Sequence, residues 1–216
     1  EGPSVDDLFS VAAVSPQAGP PPVISRAAWG ANERYRHINQ DPAQPIAWPP
    51  EYQLVEHVII HHTETPASQD PMAAIRSIYY YHAVERGWGD IGYNYLVDRF
   101  GNVYEGRYGG ENVIGGHAYE YARGSSGIAV IGSYQSSPPS DDALAGLVWI
   151  TAWVGRFLDP FGAAPFHAKA AFPSIGGHRD ANQTACPGDA LYGELDDVRA
   201  AVAQILAAQP DPSPKP

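Results

Sequence analysis

Short apolar runs alternate with longer amphipathic segments through the middle of the chain, and the runs predict strands. Residues 57–62, which read HVIIHH, are rich in β-branched side chains, a pattern that favours a buried strand. Residues 93–97 and 102–105 predict two strands joined by a turn at residues 100–101. Residues 127–132 predict another buried strand.

Three segments carry apolar residues at helical spacing. Asp70 and Pro71 predict the start of the first helix, because an acidic side chain caps the first turn and proline fits within it. Asp141 and Asp142 predict the cap of the second helix, and the third is expected from about Glu194. Strands that alternate with helices favour an α/β fold in which helices cover a central sheet.

Proline-rich segments precede and follow this body. Residues 15–22 read SPQAGPPP, and the last eight residues carry proline at every second position. Such segments favour extended linkers, because proline lacks a backbone donor and breaks helices. We therefore predict an N-terminal arm over residues 1–22, one folded domain over residues 23–207 and a C-terminal tail over residues 208–216.

Composition narrows the classes of protein that the chain fits. Its 216 residues suit one domain, and an apolar content of 44% provides enough side chains for a core, which excludes a wholly disordered chain. Thirteen basic residues against 24 acidic ones give a net charge of −11 and a pI near 5.0, which argues against nucleic acid as a partner. No stretch approaches the ~20 consecutive apolar residues that a membrane span requires.

The residues that could take part in catalysis or metal binding are concentrated in four fragments, most of which also contain glycine. A strand end followed by a loop is where a rigid scaffold usually holds functional side chains. The fragments are HHT at residues 61–63, GWGDIGY at 87–93, GGHA at 115–118, and GHRD at 177–180 followed by TACP at 184–187.

The single cysteine, Cys186, cannot form an internal disulfide, so it is an inert buried residue, a reactive thiol or a metal ligand. Zinc binds imidazole nitrogen and thiolate sulfur, and a catalytic zinc site has three protein ligands and one open position. His178 precedes Cys186 by eight residues, with turn-forming residues between them, so both side chains can reach one ion. The third ligand is expected to be His61 or His62, of which only one can face the ion because neighbouring strand residues face opposite sides.

Ordinary structural roles remain open for each of these residues taken alone. A lone cysteine is more often buried and inert than a ligand, and Tyr93 fits a core position in a strand. His82 is expected to pack on a helix face. Three other histidines are expected at the surface or at caps: His37, His57 and His167. The joint occurrence of the four fragments is what favours a site.

Six fragments follow one another in a fixed order. They are HHT at residues 61–63, DIGYNY at 90–95, GNVYEGR at 101–107, GHA at 116–118, SGI at 126–128, and GHRD with TACPG between 177 and 188. In this order they resemble the peptidoglycan recognition proteins, the zinc-dependent N-acetylmuramoyl-L-alanine amidase family of the phage T7 lysozyme type. The segment ISRAAWGA at residues 24–31 also resembles the N-terminal part of longer members, so the resemblance covers about residues 23–207. It implies a mixed central β-sheet of about five or six strands flanked by about three main helices.

The resemblance implies a ligand set for one zinc ion: His61, His178 and Cys186, with His62 beside them but outside the set. Active members have tyrosine at the position of Tyr93, and recognition-protein amidases have threonine at that of Thr184; this chain has both. Members that have lost activity usually replace the cysteine, which this chain retains. The activity implied is hydrolysis of the amide bond between N-acetylmuramic acid and the L-alanine of the peptidoglycan stem peptide.

Catalytic roles follow as hypotheses. Tyr93 is expected to donate a hydrogen bond to the attacking water or to the developing oxyanion, and Thr184 could supply a second donor. His117 is expected to contact substrate or to protonate the leaving amine or, alternatively, only to orient its loop. Asp180 is expected either to orient His178 or to form a local ion pair.

Substrate contacts are expected along an aromatic groove. Besides His62 and His117, its candidate residues are Trp88, Tyr95, Tyr104, Tyr108, Tyr119 and Tyr121, of which about half should belong to the core instead. Arg107 is expected to hold a stem-peptide carboxylate through a bidentate contact. Many animal members have a disulfide that one cysteine cannot form, which favours a bacterial or phage type. The resemblance and the linker-like ends imply a secreted or wall-associated monomer.

Two other functions stay open. The first is a module that binds peptidoglycan without cleaving it, against which the complete ligand set argues. The second is a thiol hydrolase in which Cys186 is the nucleophile and His178 its base. A serine hydrolase is not favoured, because GSSG at residues 124–127 lacks the Gly-x-Ser-x-Gly form.

Overall fold

Eight strands are present in residues 20–208, the part of the chain that the computed structural model describes. In chain order they are β1 (Val23–Ile24), β2 (His57–His62), β3 (Tyr95–Val97), β4 (Val103–Glu105), β5 (Ser125–Val130), β6 (Ala163–Phe166), β7 (Lys169–Pro173) and β8 (Ile175–Gly177). All but β6 and β7 join one mixed sheet in the order β1-β4-β3-β5-β2-β8, which confirms the predicted sheet. The predicted arm and tail fall largely on residues 1–19 and 209–216, which lie outside the described residues.

Strand β2 lies between two parallel neighbours, β5 on one side and β8 on the other. All six of its residues are buried, as expected for a strand covered on both faces. Because Ile60 pairs with Gly177, the residues that follow them, His61 near the end of β2 and His178 directly after β8, lie side by side. Parallel pairing thus brings two fragments that are distant in sequence to one edge of the sheet.

The helices among residues 20–208 are α1 (Arg26–Trp29), α2 (Pro71–Tyr80), α3 (Asp141–Val154), α4 (His178–Ala181), α5 (Asp189–Gly193) and α6 (Leu195–Ala207). A π-helical turn, Tyr81–Glu85, extends α2, and two 3-10 turns, Glu33–Arg36 and Ile38–Gln40, follow α1. The three long helices confirm the predicted ones. Asp70 caps α2 as predicted, because its Oδ1 accepts a hydrogen bond from the amide N of Ala73 at 2.8 Å.

The cap of α3 differs from the prediction. Ser140 precedes the helix, and its Oγ accepts a hydrogen bond from the amide N of Ala143 at 3.3 Å. Asp141 and Asp142 instead lie in the first turn, where their negative charge interacts favourably with the helix dipole. Three consecutive residues here are all good cap residues, so the sequence pattern alone does not select one.

Helices cover both faces of the sheet. Leu147 of α3 and Val202 of α6 are buried in one cluster with Ile128 of β5. On the opposite face, Ile75 of α2 is buried with Leu96 of β3. Full burial of each such side chain contributes about 1.5–3 kcal/mol, so packing on both sides holds the sheet and its functional edge rigidly. No helix within residues 20–208 has the length and apolar content to cross a membrane.

Strands β6 and β7 form a separate hairpin that the sequence pattern did not predict, since alanine and proline have low β propensity. Two phenylalanines of this hairpin cover His57. The centroids of their rings lie 4.2 Å (Phe166) and 5.2 Å (Phe172) from that of the imidazole. His57 is therefore buried, which corrects the expectation of a surface or cap position.

Candidate metal centre

Three side chains that can bind a metal meet at the carboxyl edge of the sheet. His61 lies at the end of β2, His178 begins α4 directly after β8, and Cys186 lies in the loop that follows α4. One ligand atom from each residue lies within 4.8 Å of the other two. The structure thus brings together the three residues that the sequence singled out, although they come from positions up to 125 residues apart.

The two adjacent histidines face opposite sides, as strand geometry requires. His61 Nδ1 lies 3.6 Å from Cys186 Sγ. His62 turns its ring away: its Nδ1 accepts a hydrogen bond from the amide N of Tyr134 at 3.1 Å, and its Nε2 lies 2.6 Å from Glu64 Oε1. Both ring nitrogens of His62 are thus engaged, and the residue is buried, so the ring is not free for the expected substrate contact.

Electrostatics at the cluster suit a cation. Burial lowers the pKa of His61 well below its usual value, and burial also lowers that of His178, so both imidazoles are neutral and carry a free lone pair. Burial raises the pKa of the Cys186 thiol to about 12. A thiol in such surroundings is a poor nucleophile, but it loses its proton readily to a bound metal. Two imidazoles and one thiolate form a donor set that zinc accepts, with room for a fourth ligand.

Each imidazole of the cluster is held from outside by a hydrogen bond at Nε2. His61 Nε2 lies 3.1 Å from His117 Nδ1, and His178 Nε2 lies 3.1 Å from Asn182 Oδ1. These bonds leave the Nδ1 atoms for the cluster. The sequence pattern did not predict Asn182 as a neighbour of the cluster; its position four residues after His178, one helical turn away, is the signal that could have indicated it.

Asp180 takes neither of its expected roles. Its Oδ2 accepts a hydrogen bond from the amide N of Gly177 at 2.8 Å, and its Oδ1 accepts one from the Tyr192 hydroxyl at 2.6 Å. Arg179 pairs instead with Asp189 at 2.7 Å and donates to the carbonyl of Ala185, so it braces the loop that carries the cysteine.

Two of the three predicted catalytic residues, Tyr93 and Thr184, lie beside members of the cluster. The ring centroid of Tyr93 is 5.3 Å from that of His61. Burial, reinforced by the nearby Cys186, raises the pKa of the Tyr93 hydroxyl, which therefore stays protonated and can donate a hydrogen bond. Thr184 Oγ1 accepts a hydrogen bond from the amide N of Cys186 at 3.2 Å, and its own proton remains free to be donated.

His117, the third predicted catalytic residue, lies behind the cluster. His117 is buried. It contacts Nε2 of His61, whereas Nδ1 of His61 faces Cys186. In this position the ring contacts a metal-binding residue, His61, directly.

Two expected substrate contacts are corrected by their burial. Arg107 is 1% exposed, and its Nη1 lies 2.7 Å from Asp90 Oδ2, so its charge is already compensated inside the protein. Tyr95 is 8% exposed and belongs to the core beneath α3. Both sit on or beside strands, where sequence alone does not distinguish a groove-facing side chain from a core-facing one.

The remaining aromatic candidates divide between surface and core. Trp88 is half-buried and stacks on His82, with 4.7 Å between ring centroids and 28° between planes. His82 therefore packs, as expected. Tyr108 and Tyr119 are exposed, whereas the other two candidates, Tyr104 and Tyr121, are buried.

Acid is expected to destabilise the chelator-treated protein as pH falls below 6.5. Burial lowers the pKa of His82 to about 4 and that of His117 to about 3. The unfolded chain, with ordinary histidines, therefore takes up protons below pH 6.5 that the folded chain does not bind. Stability that is complete above pH 6.5 is lost as pH falls towards these folded-state values. Each such histidine contributes a slope of about 1.4 kcal/mol per pH unit.

Urea unfolding at pH 7, 6 and 5 checks this prediction. In the folded protein, Nδ1 of His82 accepts a hydrogen bond from the amide N of Gly92 at 3.2 Å, and His82→Asn keeps an acceptor near this position. The substitution should reduce the number of protons taken up on unfolding by about one, and with it the slope of the unfolding free energy against pH. A free energy of unfolding that is flat between pH 7 and 5 would show that the buried histidines are not held neutral.

Comparison with known proteins identifies similar sequences. A family model described as N-acetylmuramoyl-L-alanine amidase matches residues 51–189. Peptidoglycan-recognition protein LB of Drosophila melanogaster is 35% identical over 182 residues, covering 80% of this chain and 67% of the relative. N-acetylmuramoyl-L-alanine amidase of Homo sapiens is 31% identical over 184 residues, covering 82% of this chain and 28% of the relative.

The fold is shared with solved structures of similar proteins. Peptidoglycan recognition protein-LE, in complex with tracheal cytotoxin (a monomeric diaminopimelic acid-type peptidoglycan), matches with a TM-score of 0.63 at 30% identity. The match covers 81% of this chain and 92% of that one.

Proposed function

The chain belongs to the N-acetylmuramoyl-L-alanine amidase family, and from that premise we propose that it is a zinc-dependent hydrolase of peptidoglycan. The bond cleaved is the amide between the lactyl group of N-acetylmuramic acid and the L-alanine of the stem peptide. The convergence of His61, His178 and Cys186 is the single observation that carries this proposal. The substrate class is supported by the family and by the peptidoglycan fragment bound to a similar protein. Since that polymer lies in the cell wall, the protein would act there as a secreted monomer.

Two features make an amide bond resistant to hydrolysis. Resonance stabilises the carbonyl against attack by water, and the amine is a poor leaving group. A zinc ion held by the three residues would acidify a water molecule and polarise the carbonyl oxygen. The chain supplies two neutral imidazoles and a thiol that binding would deprotonate. The buried setting strengthens each electrostatic interaction there, because the effective dielectric constant is low.

Tyr93 and Thr184 are the side chains proposed to act on the reacting groups. The Tyr93 hydroxyl, kept protonated by burial, donates a hydrogen bond to the oxygen on which negative charge develops. The Thr184 hydroxyl, fixed by its contact with the amide N of Cys186, offers a second donor. Both act without changing their protonation state, so they stabilise charge and leave proton transfer to other groups.

The two rival functions make different demands on the site. A module that only binds peptidoglycan has no need for a complete set of three metal ligands, although the relatives include proteins named for recognition as well as for amidase activity. A thiol hydrolase needs a cysteine whose pKa is lowered by its neighbours, whereas burial raises that of Cys186. Both observations favour the metal-dependent reaction.

Mass spectrometry of digested peptidoglycan tests the proposal. The full chain, loaded with one equivalent of zinc, is expected to release stem peptides that begin with a free L-alanine amine. A chelator should stop the release and added zinc should restore it, whereas a thiol hydrolase would be indifferent to the chelator. Binding to peptidoglycan without any released peptide would overturn the proposal in favour of a binding module.

Replacing Tyr93 by phenylalanine is expected to lower kcat by about 10²–10³, because one donor to the developing charge is lost. Zinc content and thermal stability should stay near those of the unmodified protein, since the ring that packs beside His61 is retained. Tyr35→Phe is the matched control, because that ring packs against Tyr79 and Tyr80. Steady-state hydrolysis of a soluble muramoyl peptide gives the measurement, and near-complete turnover by Tyr93→Phe would exclude the assigned role.

A further inference from the structure

One loop lies behind both metal-facing imidazoles. We define the supporting loop as residues 117–125, which connect the GGHA fragment to the start of β5. Hydrogen bonds run from each imidazole, through one or two side chains, to a backbone carbonyl of this loop. A carbonyl oxygen only accepts hydrogen bonds, so each chain of bonds has a fixed direction.

The series of hydrogen bonds behind His61 begins at the backbone carbonyl of Tyr121. Ser125 Oγ donates to the carbonyl of Tyr121 at 2.5 Å, so its oxygen is left as an acceptor. His117 Nε2 lies 3.5 Å from that oxygen and must therefore carry the proton of the His117 ring. His117 Nδ1 is then an acceptor, and His61 Nε2, at 3.1 Å, must be the donor. The direction of these bonds leaves His61 Nδ1 without a proton, facing Cys186.

The chain of bonds behind His178 gives the same result. Asn182 Nδ2 donates to the carbonyl of Tyr119 at 3.1 Å, which fixes the orientation of the amide group. Asn182 Oδ1 therefore points to His178 Nε2, which must donate to it at 3.1 Å. His178 Nδ1 is left without a proton. The two carbonyls at the ends of the chains, those of Tyr119 and Tyr121, lie two residues apart in the supporting loop.

The imidazole of His117 lies in a slot that two glycines create. A Cβ atom at Gly127 would lie 2.2 Å from His117 Cγ, and one at Gly115 would lie 2.9 Å from His117 Cδ2. Any larger residue at either position would displace the ring. The backbone at Gly115 and Gly127 therefore fixes the plane of the His117 ring. A fixed plane is required if His117 is to position the imidazole of His61.

We propose that the supporting loop fixes the tautomer of both metal-binding imidazoles before the metal arrives. The positioning residues are His117, which belongs to the loop, and Asn182, which follows α4 and is held by the loop carbonyl of Tyr119. This inference rests on the proposed function, because it concerns the same metal site. Each imidazole is held with its proton on Nε2 and its lone pair on Nδ1, directed at the cluster. His117 thus acts through His61 and not on the substrate, which replaces the catalytic and substrate-binding roles expected from the sequence.

The tautomers can be read directly in the metal-free protein. Long-range ¹H–¹⁵N correlation spectra of the histidine-labelled full chain, assigned with His61→Gln and His178→Gln, should show both rings protonated at Nε2. His117→Ala should convert His61 to a mixture of tautomers, and Asn182→Ala should do the same for His178. A ring that is protonated at Nδ1 in the unmodified protein, or one whose tautomer does not respond to these substitutions, would overturn the inference.

Zinc affinity gives a second readout, measured by competition with a chelating dye. His117→Ala is expected to weaken binding by about 10- to 100-fold, the usual effect of losing such a partner. His117→Asn keeps an acceptor near the position of Nδ1 and should retain most of the affinity. His37→Ala is the matched control. Within residues 20–208, the His37 ring forms its hydrogen bond with the carbonyl of Gln44 and not with the metal cluster. If His117→Ala fails to fold, Ser125→Ala and Asn182→Ala carry the test.

The possible failures are distinguishable. An unmodified chain that binds no zinc would overturn the proposed function and this inference together. An unmodified chain that binds zinc, with a His117→Ala variant of equal affinity, would overturn the inference alone. A variant that raises the KM for peptidoglycan while its zinc affinity is unchanged would show that His117 contacts substrate, and this too would overturn the inference.

Discussion

Replacing Cys186 by serine is expected to abolish zinc binding at the cluster and to lower peptidoglycan hydrolysis by a factor of about 10³ or more. The thiolate is the only negatively charged member of the set of three ligands, and a serine hydroxyl is a much weaker zinc ligand. Loss of the metal removes several kcal/mol of transition-state stabilisation, and each 1.4 kcal/mol corresponds to about tenfold in rate. The fold should persist, because Cys186 is only half-buried and a hydroxyl is smaller than a thiol.

Elemental analysis and stem-peptide release, measured on the same preparation, check this prediction. Ala185→Ser is the matched control, because it adds a hydroxyl to an exposed position of the same loop and leaves the cysteine in place. Circular dichroism should show the same fold in both variants. A serine variant that keeps one equivalent of zinc and cleaves at the normal rate would contradict the assigned ligand set.

Replacing Asp90 by asparagine is expected to reduce the free energy of unfolding by about 3–5 kcal/mol, the usual cost of removing one partner from a buried ion pair. Asp90 is completely buried. Its Oδ1 lies 3.0 Å from Arg26 Nη1, its Oδ2 lies 2.7 Å from Arg107 Nη1, and Arg36 Nε is 3.6 Å away. Three buried or nearly buried guanidinium groups would lose the one carboxylate that all of them face.

Glu33→Gln provides the matched control for Asp90. Glu33 also pairs with Arg26, at 2.8 Å, but its side chain is 44% exposed, so the substitution should cost less than about 1 kcal/mol. Chemical denaturation of the two variants at pH 7 gives both free energies. Equal effects for the two substitutions would show that burial of the Asp90 cluster does not determine its contribution.

The ligand set was the part of the site most accessible to sequence reasoning. Two neighbouring histidines at the end of a buried strand leave only one that can face an ion, and the structure has His61 in that position. Parallel pairing of Ile60 with Gly177 then places His178 beside it. The motifs that contain His61 and His178 therefore indicated the ligand set, because the strands that lead into these motifs, β2 and β8, are neighbours in the sheet.

The surroundings of the site were less accessible, because they depend on contacts between loops. His117 reaches His61 across 56 residues, and nothing in the local pattern at residues 115–118 specifies whether that ring faces substrate or the back of a ligand. Arg107 illustrates the same difficulty. Its charge suggested a carboxylate of the substrate, whereas the fold supplies Asp90 as an internal partner. Burial decides such cases, and burial is a property of the tertiary structure.

Zinc K-edge X-ray absorption of the zinc-loaded full chain tests the central claim most directly. The arrangement of His61, His178 and Cys186 predicts one sulfur scatterer at about 2.3 Å and two imidazole nitrogens at about 2.0–2.1 Å, with one further light ligand. The sulfur signal should disappear in the Cys186→Ser variant. A zinc ion coordinated only by nitrogen and oxygen in the unmodified protein would contradict the account.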